Sequence, residues 1–230
     1  MDFRIFDDNS ITAGFSAAPQ TAEEKFEELR SGLKSGCNIV RMHQVHGTKV
    51  VCVTKDMIHV GDPVIDAGEC DGIITDIPGT ILTSRHADCI PLYFMDTAKG
   101  VAALSHAGWR GTVNAIATAT IDTMKSLYGC DPEDIIAGIG PGIGRCHFEV
   151  SEDVAAEFRE KLPWCAPMID KGKAAGKYYI DLKEVNAALC RKAGIKDITV
   201  SPVCTYCEEY RCFSYRRNAT KERHLAYMVL

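Results

Sequence analysis

"ILTSRHADCIPLYFMD" (residues 81–96) sets the fold problem for this chain. Its second half contains "CIPLYF", an apolar run of the kind that forms a buried strand. Its first half places Arg85, His86, Asp88 and Cys89 at the head of that strand. The next strand-like run, "GVAALSHAG" (100–108), ends on His106 and leads into "HAGWRGT" (106–112), which adds Arg110. Charged and reactive residues therefore recur at two successive strand ends.

Outward from these runs the chain mixes strands and helices. "NIVRM" (38–42) and "TKVVCVTK" (48–55) read as strands flanking the turn-like "HQVHG" (43–47), and "DGIITD" (71–76) as another. "TAEEKFEELRSGL" (21–33) opens with Thr21 and Glu24 at capping-box spacing and predicts a helix. "TVNAIATATIDTMKSLYG" (112–129) reads as one long helix closed by Gly129, and "SEDVAAEFREKL" (151–162) as a helix capped by Ser151. "DLKEVNAALCRKAG" (181–194) carries a second capping box, while "RCFSYRR" (211–217) and "HLAYMVL" (224–230) read as strands. The order lacks strict strand–helix alternation, so the expected fold is a mixed-sheet, layered α/β sandwich, with residues 1–230 as a single domain.

With 230 residues the chain can bury a real core. A net charge of −5 leaves no basic surface for a nucleic-acid backbone, so no nucleic-acid partner is expected. No basic start is followed by an apolar run, and no stretch has the length of a membrane helix. The expectation is a cytoplasmic protein without a membrane partner, whose eleven cysteines are mostly reduced, buried thiols.

Among the seven histidines, His43 and His46 lie three apart, which on a strand points them to opposite faces. His46 is the better candidate, because Gly47 lets the backbone pack close to a site. Neighbouring strands can bring Cys89 and His106 together, and one thiolate with one or two imidazoles suits a catalytic zinc. The same pair also fits a hydrolase or amidase with a Cys89 nucleophile and a His106 base. A buried structural cysteine beside a solvated histidine is the plainer alternative, and a third ligand is the discriminator.

The turn after His106 opens a helix, where free N–H groups, Gly111, Thr112 and the Arg110 guanidinium could hold an anion such as phosphate. "GIGPGIG" (138–144) departs from a dinucleotide fingerprint. "CTYC" (204–207) resembles half of a zinc ribbon with no second pair at matching spacing. In "CHFEV" (146–150), Cys146 and His147 would face opposite ways on a strand, which argues against one site using both. Arg216 and Arg217 read as solvated edge-strand residues.

Taken in order, "QVHG" (44–47), "ADCIPL" (87–92), "HAGWRGT", "GIGPGIG" and "FSYRR" (213–217) closely resemble the laccase-domain, or multicopper polyphenol oxidase, family. That family is better described as zinc-dependent purine nucleoside phosphorylases with adenosine deaminase side activity. The resemblance implies an α/β sandwich and a zinc held by His46, Cys89 and His106. It implies phosphorolysis of adenosine, inosine, guanosine or methylthioadenosine, with phosphate as co-substrate and a monomer or homodimer as the working form. Asp88 becomes the candidate proton shuttle and Arg110 the candidate phosphate ligand. The chain departs from the family at Asn218, where an acid is common, and at His86, where threonine is common.

A multicopper oxidase site needs about ten histidines, many as His-x-His pairs, because imidazole suits copper. Seven histidines with no such pair cannot build one. Adventitious copper on a His/Cys site could still give weak oxidase signals.

Overall fold

A computed structural model describes residues 2–6, 11–59 and 61–230. The opening stretch is not one strand but two. Thr80–His86 lies in one six-stranded sheet and Ile90–Asp96 in another, and the chain crosses between them at Ala87–Cys89. Asp88 makes the crossing with φ +85°, a left-handed backbone uncommon for a residue other than glycine.

The first sheet has the order Phe3–Arg4, Thr12–Phe15, His224–Val229, Thr80–His86, Asn38–His43, Val64–Glu69. The second runs Asp197–Val200, Ile135–Ile139, Ile90–Asp96, Val101–Ala107, Gly72–Thr75, Val50–Cys52. Both mix parallel and antiparallel pairs: Asn38–His43 pairs parallel to Thr80–His86, whereas Ile90–Asp96 and Val101–Ala107 are antiparallel. The fold class is therefore the expected mixed-sheet, layered α/β. A small three-stranded sheet adds Glu149–Ser151, Lys177–Ile180 and Ile169–Lys171.

Side-chain alternation along the second sheet explains the continuous apolar runs. Tyr93 and Met95 point into a core shared with Phe15, Val40, Leu82 and Met228 of the first sheet. Ile90, Leu92 and Phe94 point the other way, into a core with Ile116, Ile121, Met124, Val185 and Phe158 of the helices. A sheet covered on both faces has no polar side to show. Burying a side chain such as Leu92 or Phe94 contributes about 2–3 kcal/mol each, so this central sheet is a rigid base for whatever its ends carry.

Several local expectations need correction. The 112–129 helix is two helices, Trp109–Val113 and Ile116–Tyr128, broken at Ala115 with φ +60°. Gly129 closes the second in the left-handed conformation, as expected. "RCFSYRR" is irregular chain ending in a short helix, Tyr215–Asn218, whose Ser214 side chain accepts from the Arg217 amide. Only Val50–Cys52 of 48–55 is strand. The Thr21 capping box is complete, Ser151 makes no side-chain cap, and Asp181 supplies its own half of the second box.

Candidate functional site

Three segments meet at the Ala87–Cys89 crossing. His46 sits in the loop after Asn38–His43 with φ +62°, Cys89 directly precedes Ile90–Asp96, and His106 lies one residue from the end of Val101–Ala107. Pro91 pairs with His106 in the ladder, which brings Cys89 beside the imidazole. The donor atoms of His46, Cys89 and His106 all lie within 4.8 Å of one another, with Cys89 Sγ 4.0 Å from His46 Nε2. A Cβ on Gly108 would stand 2.9 Å from His46 Cδ2 and 3.2 Å from Cys89 Sγ, so only glycine lets the chain pass there.

Asp71 organises this cluster. It is fully buried, and its Oδ1 accepts from His106 Nδ1 at 2.8 Å and from the His46 amide at 3.0 Å. Its Oδ2 accepts from the Gly47 and Val45 amides at 2.6 and 3.2 Å. One carboxylate thus shapes the 45–47 turn and fixes the His106 tautomer, leaving Nε2 for the site. Burial works to raise the Asp71 pKa, but His106 and these amides outweigh it and hold the carboxylate below its usual range. Nothing but the polar start of "DGIITD" marked this residue in the sequence.

The Cys89 thiol and His106 imidazole shift toward each other's charge. Burial pushes Cys89 up, yet the field and hydrogen bonding of His106, aided by His46, bring it down to about 6. Burial pulls His106 down, but Cys89 and Asp71 raise it to about 9. The pair is a thiolate beside an imidazolium around neutral pH, or, with the imidazole neutral, a thiolate and two imidazoles ready for a cation.

His86 is no further ligand. Its Nδ1 donates to the Cys89 carbonyl at 3.1 Å and its Nε2 accepts from Ser84 Oγ at 2.8 Å, so both nitrogens are engaged. Burial keeps it neutral, with its pKa well below the ordinary histidine value. Asp88 is also committed: Oδ1 accepts from Thr205 Oγ1 and Oδ2 from the Arg216 amide, each at 2.7 Å. It ties the crossing to the 205–216 segment while still lining the cavity. Gly142 supports the same crossing, since a Cβ there would run into Ile90 Cδ1 and the Asp88 carbonyl.

His46, Cys89 and His106 line a cavity of about 680 Å³ together with Phe148 and Tyr215. Arg216, Lys221 and Arg223 make its rim cationic, joined by Arg85, whose guanidinium is paired with Glu23, and Asp88 is the one acid among the lining residues. Arg110, Gly111 and Thr112 are not part of this wall. The Arg110 guanidinium lies over the Trp109 ring at 4.3 Å, Gly111 and Thr112 are buried, and the Thr112 hydroxyl accepts from Asn186 Nδ2 at 2.9 Å. The cations that do line the cavity come from segments distant in the sequence.

Two further sequence readings are corrected. Cys146 and His147 stand on a turn rather than a strand, and their donor atoms meet those of Cys204 and Cys207 within 4.8 Å. Arg216 and Arg217 are not on an edge strand. Arg216 Nη1 donates to the Glu149 carbonyl at 2.7 Å, and Arg217 Nη1 and Nη2 donate to the carbonyls of Tyr206 and Cys212 at 2.8 and 2.6 Å.

The chain is therefore a layered α/β protein with a thiolate–imidazole cluster at the mouth of its central sheet. Over residues 5–230 it matches the family model described as multi-copper polyphenol oxidoreductase laccase, and it belongs to that family. It is 38% identical over 190 residues to purine nucleoside phosphorylase YlmD of Geobacillus stearothermophilus, covering 80% of this chain and 69% of the relative. It is 31% identical over 184 residues to adenosine deaminase RL5 of an unknown prokaryotic organism, covering 78% of this chain and 70% of that one. The crystal structure of Bacillus licheniformis hypothetical protein YfiH superposes with a TM-score of 0.86 at 29% identity, over 96% of this chain and 93% of that one.

Proposed function

We propose that the chain is a zinc-dependent purine nucleoside phosphorylase acting on adenosine, inosine, guanosine or methylthioadenosine. The observation that carries this reading is the convergence of His46, Cys89 and His106 on one side of a cavity with a cationic rim. Three protein donors with an open fourth position are the usual make-up of a catalytic zinc site, and Asp71 behind His106 supplies the customary outer carboxylate. Names borne by related proteins point to the same activity. When bound there, zinc supplies Lewis-acid stabilisation of developing negative charge and activates water.

The chain's own residues then divide the work. Lys221, Arg223 and Arg216 present positive charge suited to inorganic phosphate. Tyr215, exposed on the cavity wall, offers a face on which a purine can stack, and the cavity volume lies in the range of small-molecule sites. Asp71 keeps the Nδ1 proton of His106 fixed, so the ring neither rotates nor exchanges tautomer. Deamination of adenosine, as a side activity, calls for a carboxylate to move protons, and Asp88 is the one acid on the cavity wall.

One observation favours a second reading. Asp71, His106 and Cys89 also form the series of a cysteine hydrolase or amidase, with the thiol lowered to about 6. His46 has no place in that triad, whereas a metal uses it. Metal analysis with a purine-release assay, run with and without phosphate on wild type and Cys89→Ala, separates the two. The phosphorylase requires zinc and phosphate together; turnover without phosphate, or activity that survives chelation, removes it.

A further inference from the structure

We propose that Cys146, His147, Cys204 and Cys207 form a second, structural zinc site that clamps the 144–148 turn to the 201–217 segment behind the cavity. The four donor atoms lie within 4.8 Å of one another. Cys146 Sγ is 3.7 Å from both Cys204 Sγ and Cys207 Sγ, and His147 Nδ1 is 3.2 Å from Cys146 Sγ and 3.3 Å from Cys207 Sγ. A tetrahedral ion with Zn–S near 2.3 Å and Zn–N near 2.0 Å separates its ligands by about 3.8 Å between sulfurs and about 3.5 Å between sulfur and nitrogen. These four spacings fall close to those edges. None of the three cysteines is in a disulfide.

The surrounding chain is shaped for such an ion. Gly144 donates its amide to Cys204 Sγ at 3.2 Å, and a Cβ on it would crowd Cys146 Sγ and Cys204 Cβ at 3.2 Å. Between the two cysteines of "CTYC" the chain turns back, the Cys207 amide donating to the Cys204 carbonyl at 3.1 Å. The His147 ring stacks on Tyr206 at 3.9 Å and 12°, which fixes the imidazole with Nδ1 toward the sulfurs. Three thiolates and one imidazole on a divalent ion leave one net negative charge. Lys183, a buried ammonium, donates to the carbonyls of Ser201 and Val203 at 2.9 and 2.6 Å, just ahead of Cys204, where it offsets that charge.

A site with four protein donors and no open position holds structure rather than performing chemistry. The two clamped segments carry Phe148 on one side and Thr205 and Arg216 on the other, so the ion would brace the wall that grips Asp88. This inference does not rest on the phosphorylase reading, because its donors are all distinct from His46, Cys89 and His106.

The test uses the full-length Cys89→Ala protein, which lacks a donor of the first site. Reduced and loaded with zinc, then desalted, it should retain one ion per chain. Loaded with cobalt(II), it should show the strong thiolate-to-metal charge-transfer absorption of three sulfurs. Adding Cys204→Ser to it should abolish both signals, whereas adding His147→Cys in place of Cys204→Ser should keep one ion per chain, on a four-sulfur set. Stripping the ion should lower the melting temperature by about 5–10 °C, the size expected when a few kcal/mol is lost from a chain of this length. If Cys89→Ala retains no ion, or melts unchanged when stripped, the proposal fails; the binding and melting measurements need no variant of the four ligands, so misfolding of Cys204→Ser does not shield it.

Discussion

The two donor clusters differ in what surrounds them. Cys89 and His106 stand at strand ends of a sheet buried on both faces, with His46 beside them on the loop after Asn38–His43 of the other sheet and a buried carboxylate behind one imidazole. They open onto a cavity and offer three donors to it. Cys146, His147, Cys204 and Cys207 stand on two turns, with two of the thiols exposed and a stacked tyrosine in place of a carboxylate. The number of donors and the rigidity beneath them separate a centre suited to chemistry from one suited to bracing.

That contrast is broken most directly by exchanging damage between the two. On the phosphorylase proposal, Cys89→Ser should cut phosphorolysis by about 10³-fold, since the ion it would help hold would supply several kcal/mol, while the melting temperature barely moves. Cys207→Ser should do the reverse, lowering the melting temperature and leaving kcat within a few fold. Steady-state rates and calorimetry on the two proteins decide it; a chain that loses activity equally from either change would make the clusters one functional unit.

The acid side of stability belongs to the layer beneath the first cluster. His224 is buried between the rings of Phe15 and Phe213, and its Nε2 accepts from the Phe213 amide at 2.7 Å. Burial lowers its pKa from 6.5 to about 4. The unfolded chain therefore binds a proton that the folded chain refuses, so stability is full above pH 6.5 and falls as pH drops toward 4. The loss is about 3 kcal/mol for His224, and buried His86 adds in the same direction. Melting followed across this window should show the decline, and His224→Gln, which keeps an acceptor for Phe213, should make it shallower by the His224 share. A slope unchanged in that variant would assign the acid sensitivity elsewhere.

A smaller effect should follow at Asp71. Asp71→Asn keeps the shape but loses the charge that holds His106 as a donor at Nδ1, and should weaken metal affinity or activity by about 10- to 100-fold. Zinc competition against a chromogenic chelator reads this without reference to turnover. An unchanged affinity would make the carboxylate a builder of the 45–47 turn alone.

The sequence disclosed the first cluster and the fold class far better than the second cluster. His46, Cys89 and His106 sit within motifs, and the alternation of Tyr93 and Met95 against Leu92 and Phe94 is ordinary strand periodicity. The crossing at Asp88 was hidden because both flanking strands are apolar enough to read as one run, and a left-handed aspartate leaves no pattern. Asp71 was hidden because one buried carboxylate looks like any turn residue at the head of a strand. The second cluster was misjudged because strand geometry was assumed for "CHFEV", where the first residues form a turn, and because the partner of "CTYC" lies about sixty positions away.

Arg110 provides the smallest effect and the sharpest separation of motif from geometry. Beside a glycine at the start of a helix it looks like a phosphate ligand, but Trp109–Val113 is a short helix and the guanidinium rests on Trp109 instead. Exposed cation–π contacts are worth about 0.5–1 kcal/mol, so Arg110→Ala should cost little stability and leave the KM for phosphate within about twofold. Lys221 lines the cavity that holds Cys89, and Lys221→Ala should raise that KM by about fivefold to tenfold, the value of one charge-assisted contact at a partly solvated rim. Phosphate saturation curves on the two variants compare them directly. A large rise for Arg110→Ala with none for Lys221→Ala would return the phosphate to the 110–112 turn and leave the cationic rim without a function.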